Sequence, residues 1–421
     1  MRQKGFTILL FAITAITVAP VTGAPAQNRF PQPEFQSGYE IPANNFGTAR
    51  AVILYYIDVA VLFIALCAAS YIVLKKKSRR GVLILMLFSI AYFGFYKKGC
   101  ICSIGAIQNV TAGALTGYAI PATVFLIFAL PLAFALFFGR VFCSGVCPMG
   151  ALQDVAAIRA KRVPARIASA LGFIPHLYLG ITILFVASGA GFPICKLDPF
   201  VGIFRLGAPS GMIAFGAILL LIGVFVARPY CRFLCPYGLI LGWMSRLSKY
   251  RVKICSGKCV NCRLCENACP VDAIRTPTRE PVKEERGRSI RRLKIYCALL
   301  PLWVIAGAAG GWFAADALSL THPQVKLLRI VEAEGSVAVG GKSLEGEALR
   351  VDANVIAELR EQANEAKRGF RLGMLLLGVY MGVVIGVYII RQSMYKKRDS
   401  YDADPSRCVS CGRCYRYCPQ R

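Results

Sequence analysis

Apolar residues in this chain fall into long blocks with no polar face, at residues 51 to 74, 81 to 96, 118 to 138, 167 to 188, 210 to 228, 296 to 315 and 370 to 390. A bilayer core of ~30 Å is crossed by about 20 residues of helix. The blocks therefore predict seven membrane spans. An earlier block, residues 1 to 26, starts with the basic "MRQK", turns apolar and ends in small residues before Gln27. That is the pattern of a cleavable secretory signal, with a retained anchor as the alternative. Residues 27 to 50, rich in Pro, Asn and Gln, would follow as an extracytoplasmic arm.

The polar positions set the orientation. "KKKSRR" at 75 to 80, "RAKRVPAR" at 159 to 166, the basic stretch 228 to 253 and "KKR" at 396 to 398 all fall on one side of a seven-span chain. By the positive-inside rule that side is the cytoplasm, which places the C-terminus inside. Lys97 and Lys98 break the pattern, on the expected outer side after a short second span.

The resulting expectation is an α-helical polytopic membrane protein of the bacterial cytoplasmic (inner) membrane. A five-span domain occupies 51–250, with further spans at 295–316 and 370–391. Between those spans lies a small extracytoplasmic α+β module at 317–369. A split two-cluster ferredoxin-like α+β domain has halves at 251–294 and 392–421.

Composition agrees, with 56% hydrophobic and 17% charged residues. A net charge of +28 would suggest nucleic acid in a soluble chain. Here the basic residues flank apolar spans, so topology and anionic lipid account for them and no nucleic-acid partner is expected. Part of the charge would also offset anionic iron–sulfur clusters.

The 18 cysteines carry the chemistry. "CVNCRLCENACP" supplies Cys259, Cys262, Cys265 and Cys269, and "CVSCGRCYRYCP" supplies Cys408, Cys411, Cys414 and Cys418. Both are C-x2-C-x2-C-x3-C-P runs, in which three close thiolates hold one [4Fe-4S] cluster and the fourth reaches the other. Cys259, Cys262, Cys265 and Cys418 would thus hold iron in one cluster, and Cys408, Cys411, Cys414 and Cys269 in the second. Clustered thiolates also make structural zinc sites, though zinc ligands rarely run as four cysteines ending in Cys-Pro. Cys255 lies outside the run, as a spare thiol or an alternative ligand. The insert between the halves carries two spans, an even number that returns the chain to the same side.

A second motif repeats within the spans. "GRVFCSGVCPMG" and "ARPYCRFLCPYG" share C-x3-C-P-x-G and each follows an apolar span descending from outside. Cysteines one helical turn apart share a face, so Cys143, Cys147, Cys231 and Cys235 offer four sulfurs, the ligand count of a further iron–sulfur cluster in the membrane domain. The competing reading has the pairs only capping helices or supporting the ferredoxin. Upstream, Cys100 and Cys102 in "CICSIGAI" and Cys195 in "ICKLDPFVGIF" take equivalent places at the outer face. Three readings stay open there: a redox-active or cluster-binding site, a Cys102–Cys195 disulfide, or unpaired packing.

These motifs resemble the NapH and NosR type of membrane iron–sulfur proteins, which serve periplasmic nitrate and nitrous oxide reduction. The resemblance covers residues 80 to 275 and the C-terminal motif. It implies electron transfer between a quinol or cytoplasmic donor and a periplasmic acceptor, with membrane redox partner subunits, through the cysteines just named. No flavin-attachment motif of the NosR type is recognisable. A redox sensor or regulator, or an assembly factor for a periplasmic metalloenzyme, is the alternative function.

Other carriers are poorly supported. With His176 and His322 the only histidines, and His322 in the outer module, a bis-His haem within the bilayer cannot be built. No G-x-G-x-x-G opens a βαβ unit. Asp58, near the start of the first span, reads as a hydrated or paired carboxylate ahead of a quinone or proton site, and His176 is open to either role. Roughly 30 Å of hydrocarbon would separate the inner and outer cysteine levels, a gap that a quinone or a partner's cofactor would have to bridge.

Overall fold

The computed structural model describes residues 51–99, 103–117, 119–158, 160–194, 198–207, 209–254, 259–260, 262–278, 286–337, 353–393, 398 and 400–418. The signal peptide, the arm and Cys100, Cys102, Cys195 and Cys255 lie outside the described residues.

All seven apolar blocks return as helix. Helix α1 (Val52–Tyr71) runs into a wider π-helical turn, Ile72–Lys76, that Lys77 ends in the left-handed region at φ 51°. Helix α2 (Arg79–Ser89), capped by Ser78 accepting from the Gly81 N–H, also widens into a π-helix, Ile90–Tyr96. Then follow α3 (Ser103–Thr116), α4 (Ala122–Phe138), a π-helical turn Phe142–Val146, α5 (Pro148–Ala156), α6 (Ala165–Leu171) and α7 (Ile174–Ala187). The membrane core closes with α8 (Pro199–Arg205), α9 (Ser210–Phe225), α10 (Pro229–Phe233) and α11 (Pro236–Ser245).

Among the described residues five segments are long and apolar enough to cross a membrane, Val52–Lys76, Arg79–Tyr96, Ala165–Ala187, Ile290–Ser319 and Ile356–Arg391, and the bent pair Pro199–Arg205 and Ser210–Phe225 would make a sixth. The expected spans at 118 to 138 and 210 to 228 are shorter than they read. Helix α4 has 17 residues and α9 has 16, so at 1.5 Å per residue each covers about 25 Å, less than the ~30 Å hydrocarbon core. Pro121 and Pro209 start them, Gly139 at φ 75° ends α4, and α8 meets α9 at a bend of 110°. The non-helical backbone that follows α4 is covered by protein, Phe142 through Val146 being buried, which is the condition for irregular chain at membrane depth.

Lys97, the exception to the charge pattern, is buried and paired. Its ammonium lies 2.6 Å from Asp58 Oδ1, with side-chain exposures of 6% and 3%. Tyr92 donates its hydroxyl to the same carboxylate at 2.9 Å. A neutralised internal lysine carries no topological signal, and Asp58 is the paired carboxylate the sequence favoured.

Beyond the core come α12 (Leu264–Ala268), the two-residue strand β1 (Ile274–Arg275), α13 (Arg286–Ser319), α14 (Pro323–Val337), α15 (Ala353–Ser393), β2 (Asp402–Ala403) and α16 (Arg413–Tyr417). Helices α13 and α15 pack along their length as a hairpin. A Cβ added at Gly307, Gly311, Gly378 or Gly382 would collide with backbone of the opposite helix. Such small residues four apart let membrane helices approach closely. Of the expected α+β module, the described residues are helical apart from a turn at 320–322, and α14 buries Val325 and Leu328 against Ala363. The alternating stretch at 338 to 352 lies outside the described residues.

The hairpin returns the chain to its starting level, where Ile274 pairs with Ala403 and Arg275 with Asp402 in an antiparallel ladder. Helix α12 packs on α16. Two segments far apart in sequence thus join as one small domain, which sits on the α3–α11 core with Val409 and Cys411 in the same buried cluster as Cys143 and Cys235.

Candidate iron–sulfur centres

In each C-x3-C-P motif the second cysteine ends one turn and starts the next. Cys147 and Cys235 are extended, at ψ 116° and 112°, and act as N-caps of α5 and α11, with Pro148 and Pro236 in the first helical turn. Proline suits that place because its missing N–H has no helical partner there anyway. Cys143 lies in the π-helical turn and Cys231 in the short α10, whose start Arg228 forms in the left-handed region at φ 53°. The i, i+4 reading on one continuous helix is therefore corrected. The thiols of a pair come from two elements joined at an extended residue.

The four thiols of Cys143, Cys147, Cys231 and Cys235 lie within electrostatic reach of one another. Three of their sulfurs have a nitrogen donor beside them: Gln153 Nε2 at 3.4 Å from Cys231, the Gly238 N–H at 3.2 Å from Cys235, and Arg140 Nη2 at 3.8 Å from Cys143. Hydrogen bonds to sulfur are among the levers that set cluster potentials.

In the ferredoxin, Cys269, Cys408, Cys411 and Cys414 line a single cavity. That is the set the crossed-ligand reading requires. The Ala273 N–H points at Cys269 Sγ from 3.3 Å. Burial raises the Cys408 thiol to about 12, and Cys411 and Cys269 add to the effect against Arg140. Such a thiol stays protonated unless a bound metal takes the proton's place. Cys259 and Cys262 neighbour Cys265, and Cys418 ends α16. Among the described residues no three His, Cys, Asp or Glu side chains converge on a point that one metal ion would fill. A four-iron cubane holds its thiolates further apart than a single ion does, so the donor set suits the cluster.

Between the two cysteine layers lies a group of charged residues that the motif reading missed. Arg228 is 1% exposed, with Nε 3.3 Å from Asp154 Oδ1 and Nη1 donating to the Cys143 carbonyl. Asp154 also receives Arg79 at 2.5 Å and Arg413 at 3.5 Å. Arg79 reaches on to the Cys411 carbonyl at 2.9 Å, and Arg140 to the Ser406 carbonyl at 2.9 Å. Burial opposes ionisation of Asp154, yet Arg228, Arg79 and Arg413 outweigh it and hold the carboxyl down at about 2. The repeat did contain a signal for two of these residues, since Arg140 and Arg228 each precede the first cysteine of their motif by three positions.

Tyr230, next to Cys231, donates its hydroxyl to Asp198 Oδ2 at 3.0 Å. Tyr237, two residues after Cys235, donates to the Phe128 carbonyl at 2.7 Å and also meets Ser103. The outer-face expectation for Cys100, Cys102 and Cys195 lies outside the described residues. His176 and His322 are satisfied structurally, with ring nitrogens 3.1 Å from the Gly172 and Ser188 carbonyls.

Comparison with known proteins matches two "4Fe-4S binding domain" families, one at residues 120–166 and 208–255 and the other at 256–275 and 401–421. The first falls on the two C-x3-C-P motifs and the second on the ferredoxin halves. Protein NirI of Paracoccus denitrificans is 33% identical over 36% of this chain and 24% of its own length. Regulatory protein NosR of Stutzerimonas stutzeri is 27% identical over 47% of this chain and 29% of its own. The ferredoxin-type protein NapH of Haemophilus influenzae is 29% identical over 45% of this chain and 67% of its own. The chain thus spans only a quarter to a third of NirI and NosR. No solved structure matches it. The chain thus carries two kinds of 4Fe-4S binding domain and is similar, over a third to a half of its length, to NirI, NosR and the ferredoxin-type protein NapH.

Proposed function

We propose that the chain carries electrons between a quinol or cytoplasmic donor and an extracytoplasmic acceptor or partner subunit. The eight ferredoxin cysteines would hold two [4Fe-4S] clusters with exchanged fourth ligands, and Cys143, Cys147, Cys231 and Cys235 a third. When bound, such clusters supply one-electron carriers whose potentials follow ligation, hydrogen bonding and nearby charge. The chain supplies the thiols, the N–H donors to them, and the arginines between the layers. The observation that carries the reading is the shared layer: Arg228 touches the Cys143 carbonyl on one side, while on the other Arg79, bound to the same Asp154, holds the Cys411 carbonyl.

A place for a quinol lies beside this layer. A groove of about 580 Å3 between α7 and α9 is lined by Ile174, Tyr178, Met212, Phe215, Tyr230 and Leu234, among others. A quinol gives up two electrons and two protons, and Asp198, reached through Tyr230, is a buried carboxylate at that place.

The similarity to NosR, a regulatory protein, favours a sensor as the second reading. Stopped-flow reoxidation in vesicles separates the two. Cys143→Ser or Cys231→Ser should slow reoxidation of the ferredoxin clusters while both remain assembled. Equal rates in wild type and variants would remove the wire and leave the regulatory role.

A further inference from the structure

Two adjoining cavities, of about 150 and 200 Å3, open along the seam between the start of the Ala165–Ala187 span and the ferredoxin half. Arg140, Arg232 and Arg407 line both, Arg228 lines the first and Arg246 the second. Among the described residues no Asp or Glu lines either one, while Cys231 lines both and Cys235 the second. Arg228 is committed to Asp154 and to two carbonyls. Of the other four, Arg246 and Arg407 are exposed, while Arg140 and Arg232 each keep one buried N–H without a hydrogen-bond partner. Arg140 is 7% exposed, yet its Nε has no hydrogen-bond partner. Arg232 spends Nη2 on Asp272 at 2.9 Å and leaves a buried Nη1 without a partner. Desolvation and the nearby Arg391 both push Arg246 down, and Asp404 opposes them. Buried, unpartnered donors on charged groups are costly, which makes them markers of a ligand.

Level and lining indicate which ligand. Gly172 and Pro175, at the membrane end of the seam, belong to the first turns of the span, and Trp243 closes the second cavity. Tryptophan is the residue of membrane–water interfaces, and basic pockets between membrane helices at that level take lipid head groups. Guanidinium forks match phosphate oxygens bidentately. The space is too small for a nucleotide and sufficient for a phosphodiester. We propose that this arginine seam binds a phosphate group, that of an anionic lipid headgroup or free phosphate, and so ties the ferredoxin to the membrane domain beside Cys231.

The test uses the full chain with its clusters, in nanodiscs of phosphatidylcholine with or without phosphatidylglycerol, and in detergent with or without inorganic phosphate. Native mass spectrometry counts retained lipid, thermal unfolding reports stabilisation, and iron content reports the clusters. Arg246→Gln and Arg407→Gln remove two walls without touching a cysteine, and Arg205→Gln, on α8 outside the seam, is the control. Phosphatidylglycerol should raise the wild-type melting midpoint, and the double variant should retain about tenfold less lipid, given the usual strength of charge-assisted hydrogen bonds, at unchanged iron content. A rise with inorganic phosphate alone that the double variant loses supports the site with free phosphate as its source. Equal retention and equal stabilisation in wild type and double variant, or no effect of either anion, would overturn the proposal and leave the arginines as counter-charge for the clusters alone.

Discussion

At the scale of single residues, Asp154 concentrates most of the consequences. It is 2% exposed and receives three arginines from three different parts of the chain. Breaking a buried charge network by removing one partner typically costs about 3–5 kcal/mol, because the other charge is left uncompensated. Asp154→Asn should therefore lower the melting midpoint and loosen the ferredoxin, read as faster loss of iron to a chelator; an unchanged midpoint would show the network to be incidental. Its pH dependence has a definite sign. A carboxylate held at about 2 in the folded state, against about 3.9 unfolded, stabilises fully above the unfolded value. That contribution is lost as pH falls through about 2, so Asp154 adds no pH dependence between pH 5 and 8.

The crossed ligands make a second residue-level expectation. Cys262→Ala should abolish the low-temperature EPR signal of one cluster, whereas Cys269→Ala should abolish that of the C-terminal motif, whose cavity it lines. Loss of the same signal in both variants would refute the exchange. The cysteines themselves were plain in the sequence, because thiolate spacing is local and fixed by the cluster. Asp154, Gln153 and Asp198 were not, because each meets its partner from a distant segment and no periodicity announces such a meeting.

At the scale of elements, hydropathy located the apolar helices, while the lengths of α4 and α9 and the bend of 110° before α9 escaped it. Hydropathy averages over a window, whereas a helix ends where Pro121, Gly139 or Pro209 breaks it. The α13–α15 hairpin is where an element-level change should act at a distance. Gly311→Leu would push a side chain into the Met374 backbone. Overpacking a tight contact costs about 1–3 kcal/mol and can cost more. The expected result is reduced ferredoxin iron with the cysteines intact, while Gly310→Ala, where an added Cβ meets nothing within 4 Å, should leave iron content unchanged. Equal iron in both variants would show that the hairpin does not position the two halves.

For the whole molecule, the positive charge clusters and the two apolar helices between the ferredoxin halves carry the expectation that this domain lies on the basic side. A membrane-impermeant thiol reagent applied to intact spheroplasts should leave Cys408 unlabelled until lysis. Labelling before lysis would reverse the orientation. The pairing of Lys97 with Asp58 removes one of the two charges that argued otherwise, and Lys98 stays exposed.

The β1–β2 ladder and the shared cavity of Cys269 with the C-terminal cysteines also dictate an order of biogenesis. On the exchanged ligation proposed above, the first ferredoxin half leaves the ribosome before its fourth ligand exists, and neither cluster then has a complete set of thiolates. Iron delivery would on that ligation follow insertion of the α13–α15 hairpin, which would make a filled ferredoxin a certificate that the preceding helices have been threaded correctly.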